Sequence, residues 1–194
     1  MRMKTVMLVT GLLLSFTLQA QKNRQERTES TYDTTMRVTN RKPVKMDPTK
    51  DIVQNINNSH LFYSFMTAIR GVGLVQTLQG PGPFTVFAPT DSAFQGASQV
   101  HPLMEDDNHG QELKKIMSLH IVPGKWTVRS LQEALKKGNG QVALVTLDGE
   151  KIMVVQKGKQ LAIQDRKGTL AYLSPKEELQ KNGVVHMVNS ILRP

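Results

Sequence analysis

No cysteine occurs anywhere in the 194 residues. That one absence removes disulfides, thiolate nucleophiles, zinc–sulfur sites and iron–sulfur clusters together. It also removes the acylation site of a bacterial lipoprotein. Aromatic residues are scarce, at 5% of the chain with a single tryptophan. Past the first twenty residues no apolar run approaches the roughly 20 residues of a membrane-spanning helix. A glycine-rich phosphate loop, a dinucleotide-binding fingerprint and a paired-histidine metal helix are all missing.

Cationic crowding is also lacking, although the formal charge is +9. Arg2 and Lys4 precede the first apolar segment, and seven basic residues against four acidic ones lie in 21–47. From Pro48 onward sixteen basic residues face twelve acidic ones, interspersed and without an aromatic-studded basic stripe. Nucleic-acid binding is excluded on that pattern.

What is present starts with an export signal. Arg2 and Lys4 precede the short apolar stretch Val6 to Leu18, which ends at Gln19-Ala20-Gln21. A basic front, a short apolar run and a small residue at Ala20 read as a cleavable secretion signal over residues 1–20. The alternative, an uncleaved anchor, is short for a span. Residues 21–47 are rich in Thr, Arg, Gln and Asn and lack apolar periodicity, so they read as a disordered polar linker. Residues 48–194 form the one domain. At that length about 68–70% of the unfolded surface can be buried, enough to dispense with disulfides. The protein is expected to be secreted, in the periplasm or at the cell surface, and not a lipoprotein.

Within the domain the periodicity changes along the chain. Ile52, Val53 and Ile56 recur at helical spacing, and Asn58-Ser59 breaks that segment. Leu61, Phe62, Phe65, Met66 and Ile69 form a second stripe that ends at Gly71 and Gly73. After Gly80-Pro81-Gly82-Pro83, the run Phe84–Ala88 reads as a strand that Pro89 ends. Thr90-Asp91-Ser92 offers capping oxygens to a short helix carrying Phe94. Residues 95–110 read as a polar loop. Glu112–Leu119 is a helix with Leu113, Ile116, Met117 and His120 on one side, and Thr127 caps another helix that stops at Gly138. Four strands follow, divided by Asp148-Gly149, Lys157-Gly158 and Lys167-Gly168. A short helical stretch is expected around Glu177-Glu178, before a last strand from Val184. Helices first and a strand meander after is the α+β pattern.

Two segments in this order resemble a known family. Gly82-Pro83-Phe84-Thr85-Val86-Phe87-Ala88-Pro89-Thr90-Asp91-Ser92-Ala93-Phe94 is similar to the first signature motif of fasciclin-like domains. The run from Asn182-Gly183 through Val184-Val185-His186-Met187-Val188-Asn189 to Pro194 is similar to the second. Leu119-His120 stands where the family has a Tyr-His pair, with the tyrosine replaced. The resemblance implies an α+β fold, a wedge-shaped β-sandwich with helices packed along one edge. It implies a non-catalytic adhesion or extracellular-matrix module, working as a monomer or weak oligomer on an envelope or matrix component, protein or polysaccharide. The family-motif residues Thr85, Phe87, Pro89, Thr90, Asp91, Phe94, His120, Gly183 and His186 are expected to be structural. Integrin binding gains no support, because the tyrosine is Leu119 and the region before the second motif reads Ser174-Pro175-Lys176-Glu177-Glu178-Leu179. The family's usual aspartate after the second-motif histidine is Asn189 here.

Chemistry that would contradict this reading is weak in the chain. His101 and His109 lie near Glu105, Asp106 and Asp107, but the spacing fits no calcium-binding loop. Asp91, Ser92, His120 and His186 are the residue types of a hydrolase triad, yet Ser92 sits at a helix start and not on a Gly-x-Ser-x-Gly elbow. No cofactor is expected. The alternative function is a carrier of an apolar ligand such as a carotenoid, with Met66, Met104, Met117, Met153 and Met187 as an adaptable lining. Buried neutral histidines at 120 and 186 are expected to bond to backbone or to groups such as Thr90 and Asp91.

Overall fold

A computed structural model of the chain describes residues 45–105 and 107–194. The expected signal over 1–20 and the linker up to residue 44 lie outside the described residues. At the start of the described chain Met46 is buried, and the Asp47 amide donates to Asn55 Oδ1 at 2.9 Å.

Among the described residues three helices come first: α1 (Ile52–Asn58), α2 (Tyr63–Gly71) and α3 (Val75–Gln79). Asp51 and Gln54 form a reciprocal capping box at the start of α1. Strand β1 (Phe84–Pro89) leads into α4 (Asp91–Gln95). Next come α5 (His101–Glu105), a 3-10 turn at Asp107–His109 and α6 (Gly110–Ser118). The helix α5 replaces the polar loop expected over 95–110. Its anchor is Val100, buried at its start, with Leu103 and Met104 packed on the core. Ala97, Val100, Leu103 and Met104 stand at helical spacing, a short stripe set among polar residues.

Strand β2 (Ile121–Pro123) precedes α7 (Val128–Lys137), whose Thr127 hydroxyl accepts from the Ser130 amide at 3.1 Å. The meander comprises β3 (Gln141–Val145), β4 (Lys151–Lys157), β5 (Gln160–Gln164) and β6 (Leu170–Gln180), and β7 (Gly183–Val188) closes the fold. At the turns Gly149, Gly158 and Gly168 have φ of 86°, 60° and 84°, the left-handed conformation that the Asp-Gly and Lys-Gly pairs imply. Glu177 and Glu178 are not helical. They continue β6, where Glu177 pairs with His186 and Glu178 with Val185. The reason is tertiary: β7 supplies a ladder that local charge preference does not anticipate.

The seven strands form one sheet in the order β2-β1-β7-β6-β5-β4-β3. All pairs are antiparallel except β1 with β7. The long β6 pairs with β5 through Tyr172 and with β7 from Leu173, and its register shifts between Leu173 and Glu177. Such a bulge bends a strand, so β6 serves both halves of the sheet. Every strand contributes to one core cluster, including Phe87, Val122, Leu144, Ile152, Ile163, Leu173 and Val188, with Leu131 and Leu135 of α7. The sheet therefore curls around that core. The Leu147 amide donates to Ile121 O at 2.8 Å and links the chain beyond β3 to β2.

A second cluster lies on the opposite face of β1 and β7. Val86, Ala88 and Val185 pack there against α1, α2, α4 and α6 through Ile52, Ile56, Phe65, Phe94 and Ile116. The central parallel pair is buried on both faces, which accounts for its nearly continuous apolar run.

Two close fits follow from this architecture. A Cβ on Gly183 would press into the Phe84 carbonyl across the β1–β7 pair. The carboxylate of Asp91 does not cap its own helix. It accepts from Ser64 N at 2.7 Å and Tyr63 N at 3.2 Å, and so caps α2 from 28 residues away. Asp91→Ala should then cost about 1 kcal/mol, the usual value of a lost N-cap. Gly183→Ala should cost at least the roughly 1–3 kcal/mol of an overpacked core. Urea melts measure both, and unchanged midpoints would contradict both assignments.

Candidate functional site

The two signature segments meet on the inner side of the sheet, where β1 and β7 lie side by side. Thr85 and Phe87 of β1 and His186 of β7 point inward and are fully buried. What they meet is the backbone of residues 124–128, the connection from β2 into α7. The Thr85 hydroxyl donates to Gly124 O at 2.7 Å and accepts from Trp126 N at 2.8 Å. His186 Nε2 donates to Trp126 O at 2.6 Å. Glu177 of β6, opposite His186, accepts from Val128 N at 2.6 Å. Gly124 N donates to Pro83 O at 2.8 Å. Side chains from three adjacent strands thus satisfy backbone groups that water cannot reach well, and the loop is clamped. Gly124 has φ of 99°, a backbone conformation that side chains rarely adopt, and lies beside the Trp126 indole.

His120 is the second clamp. Its Nδ1 lies 2.8 Å from Ile116 O and its Nε2 accepts from Leu192 N at 3.1 Å. A carbonyl can only accept and an amide N–H only donate, so the ring is neutral with its proton on Nδ1. His186 must carry its proton on Nε2, opposite Trp126 O, and its Nδ1 is buried with no partner among the described residues. Its ring stacks on Phe87, with centroids 5.4 Å apart. Burial pushes His120 down to about 4, against the opposing pull of the Ile116 carbonyl and the Asp165 charge. Burial also lowers His186, opposed by the Trp126 carbonyl and Glu177.

The remaining motif residues lie on or beside β1, α4 and β7. Pro89 ends β1 opposite Val188, Phe94 is buried among the helices, and Gly183 lies against Phe84. The Thr90 hydroxyl pairs with Ser92 Oγ at 2.8 Å. Neither histidine hydrogen-bonds Thr90 or Asp91, as motif proximity had suggested; both use backbone groups. Asp91, Ser92, His120 and His186 are therefore not connected as a triad. Leu119, where the family has tyrosine, is buried in the inner core. Among the described residues no three His, Asp or Glu side chains gather as a metal site.

Two residues missed from sequence do comparable work. Asn182 accepts from Ile52 N at 3.0 Å and donates to Leu78 O and Gly80 O, both at 2.8 Å, joining α1, α3 and β7. Asp165 accepts from Lys167 N, Thr169 N and Arg193 N. Each sits in a turn-like Asn-Gly or Asp-containing stretch. Nothing local distinguishes such residues from solvent-facing turn residues.

The neutral histidines carry a pH dependence. Their folded-state pKa lies below the unfolded value near 6.5, so protons bind the unfolded chain preferentially. Stability is full above pH 6.5 and falls as pH drops toward about 4. Between pH 7 and 5 the loss from His120 alone should be on the order of 2 kcal/mol. His120→Ala should cost about 1–3 kcal/mol at neutral pH and flatten that dependence. Urea melts across the range test this; an unchanged midpoint in the variant would exclude a clamp.

Residues 60–194 match the Fasciclin domain family. Protein sll1483 of Synechocystis sp. is 33% identical over 151 residues, which is 76% of each chain. Transforming growth factor-beta-induced protein ig-h3 of Sus scrofa is 29% identical over 76% of this chain, which spans only 20% of that protein. The solved FAS1 domain pair from the insect cell adhesion molecule Fasciclin I superimposes with a TM-score of 0.66 at 16% identity, over 76% of this chain and 52% of that one. The α+β architecture, the two signature segments and the extent of the match agree: the chain belongs to the fasciclin domain family.

Proposed function

We propose that the chain is an exported, non-catalytic adhesion or extracellular-matrix interaction module whose partner is an envelope or matrix component. Residues 1–20 direct export, residues 21–47 tether, and the remainder binds. The protein works in the periplasm or at the cell surface. The observation that carries this reading is the use of the signature polar side chains. Thr85, Asp91, His120 and His186 spend their hydrogen bonds on backbone groups, leaving no positioned nucleophile and base among the described residues. Fasciclin domains occur in adhesion and matrix proteins, which supports the same reading. No helix among the described residues is long and apolar enough to cross a membrane.

The carrier reading is less favoured. Met66 and Met117 are buried core residues, and Met104 and Met187 pack on the same cluster. Two surface clefts of about 170 and 160 Å³ are lined by none of the five methionines. Sites for extended small ligands run to roughly 300–1,000 Å³.

Crosslinking in intact cells, followed by capture of this chain, should recover a discrete envelope or matrix component, and the purified protein should be colourless. A visible absorption band would move the function to the apolar carrier, and capture of nothing beyond the chain itself would remove the adhesion reading.

A further inference from the structure

The smaller cleft lies where the sheet comes apart. β5 and β6 pair from Gln164–Leu170 to Ala162–Tyr172 and then diverge, so Gln160 and Leu161 keep only their β4 partners. On the other side the register of β6 on β7 shifts between Leu173 and Glu177. Between these splayed strands is the cleft of about 160 Å³, closed at the back by the first turns of α7. Its walls are apolar, from Val128, Leu161, Leu173 and Pro175. Its polar lining residues are Lys159, Gln132, Gln160 and Ser174.

Charge here is one-sided. Lys159 is the only ionisable residue in the lining. Of the acids beyond its edges, Glu177 accepts from Val128 N, Glu178 pairs with Lys176 and Glu133 pairs with Arg129. An anion entering the cleft meets an ammonium with no competing carboxylate among the lining residues. Strand segments that have left their ladders can accept an extended chain as a further strand, with a side-chain pocket to give specificity.

We propose that this cleft binds an extended peptide segment of a protein partner, with an aspartate or glutamate side chain of that segment seated against Lys159. This rests on the adhesion reading above and names the partner's chemistry: protein, acidic and in strand conformation. The absence of an aromatic ring from the lining and the presence of unpaired strand on both sides favour a peptide over an acidic sugar chain. The volume suits one side chain and its neighbours.

The probe is an end-blocked hexapeptide of alternating threonine and valine with one aspartate, titrated into the ¹⁵N-labelled protein. Amide shifts are expected at residues 159–161, 173–176 and the start of α7. Affinity should fall at least tenfold with Lys159→Glu, with Lys159→Met, which keeps the stem, and with asparagine in the peptide. No shifts, or shifts insensitive to all three changes, overturn the proposal. So do the same shifts produced by tetragalacturonate but not by the peptide, or by raising protein concentration alone. Capture from cells separates this from the broader reading: a partner retained by Lys159→Glu removes the cleft and leaves the adhesion role. A partner captured by neither protein removes both.

Discussion

Burying a parallel strand pair on both faces creates a demand that the rest of the fold must meet. β1 and β7 run side by side with a helical layer on one face and the curled sheet's core on the other. Every connection reaching that pair brings backbone donors and acceptors into places with little water. An unpaired buried group costs about 1–3 kcal/mol, so a handful left open would consume most of a domain's stability. Thr85, His186 and Glu177 meet the demand at the entry to α7, His120 at the C-terminal segment, Asn182 at the helical end and Asp91 at the start of α2. The signature of this family, in this chain, is a set of backbone clamps.

That accounts for the residue types. Thr85 must donate and accept at once, which a hydroxyl does. His120 must donate to a carbonyl and accept from an amide across its ring, which only a neutral imidazole does at that reach. His186 supplies one donor and a flat face for Phe87, and its Nδ1 has no partner among the described residues. A positively charged ring in either place is disfavoured because burial outweighs the opposing pull of the nearby carboxylates Asp165 and Glu177. The domain therefore holds together at neutral pH by keeping these rings uncharged. None of the motif residues lines the cleft that opens where β5 diverges from β6.

Much of this was legible in the chain. Period-2 alternation and Asp-Gly or Lys-Gly turns place β3 to β6, and the apolar run around His186 announces a central strand. Phe94, Leu113 and Ile116 point to the helical core by spacing alone. The remainder required tertiary information. Glu177-Glu178 looks helical until β7 is beside it, and the stripe of α5 is short: Val100, Leu103 and Met104 among polar residues. Asp91 looks like the cap of its own helix because α2 is distant in sequence. The histidines were recognisable as buried, but their partners were not, since backbone groups carry no residue-type signal. Asn182 and Asp165 resemble ordinary turn residues for the same reason.

The central claim is that His120 and His186 are neutral clamps with their protons on opposite ring nitrogens. Long-range ¹H–¹⁵N correlation spectra of the two imidazoles at pH 6 test it most directly. The account predicts a protonated Nδ1 on His120 and a protonated Nε2 on His186, each unchanged on acidification until the protein itself begins to unfold. Averaged nitrogen shifts that titrate near pH 6.5 in the folded protein would contradict it.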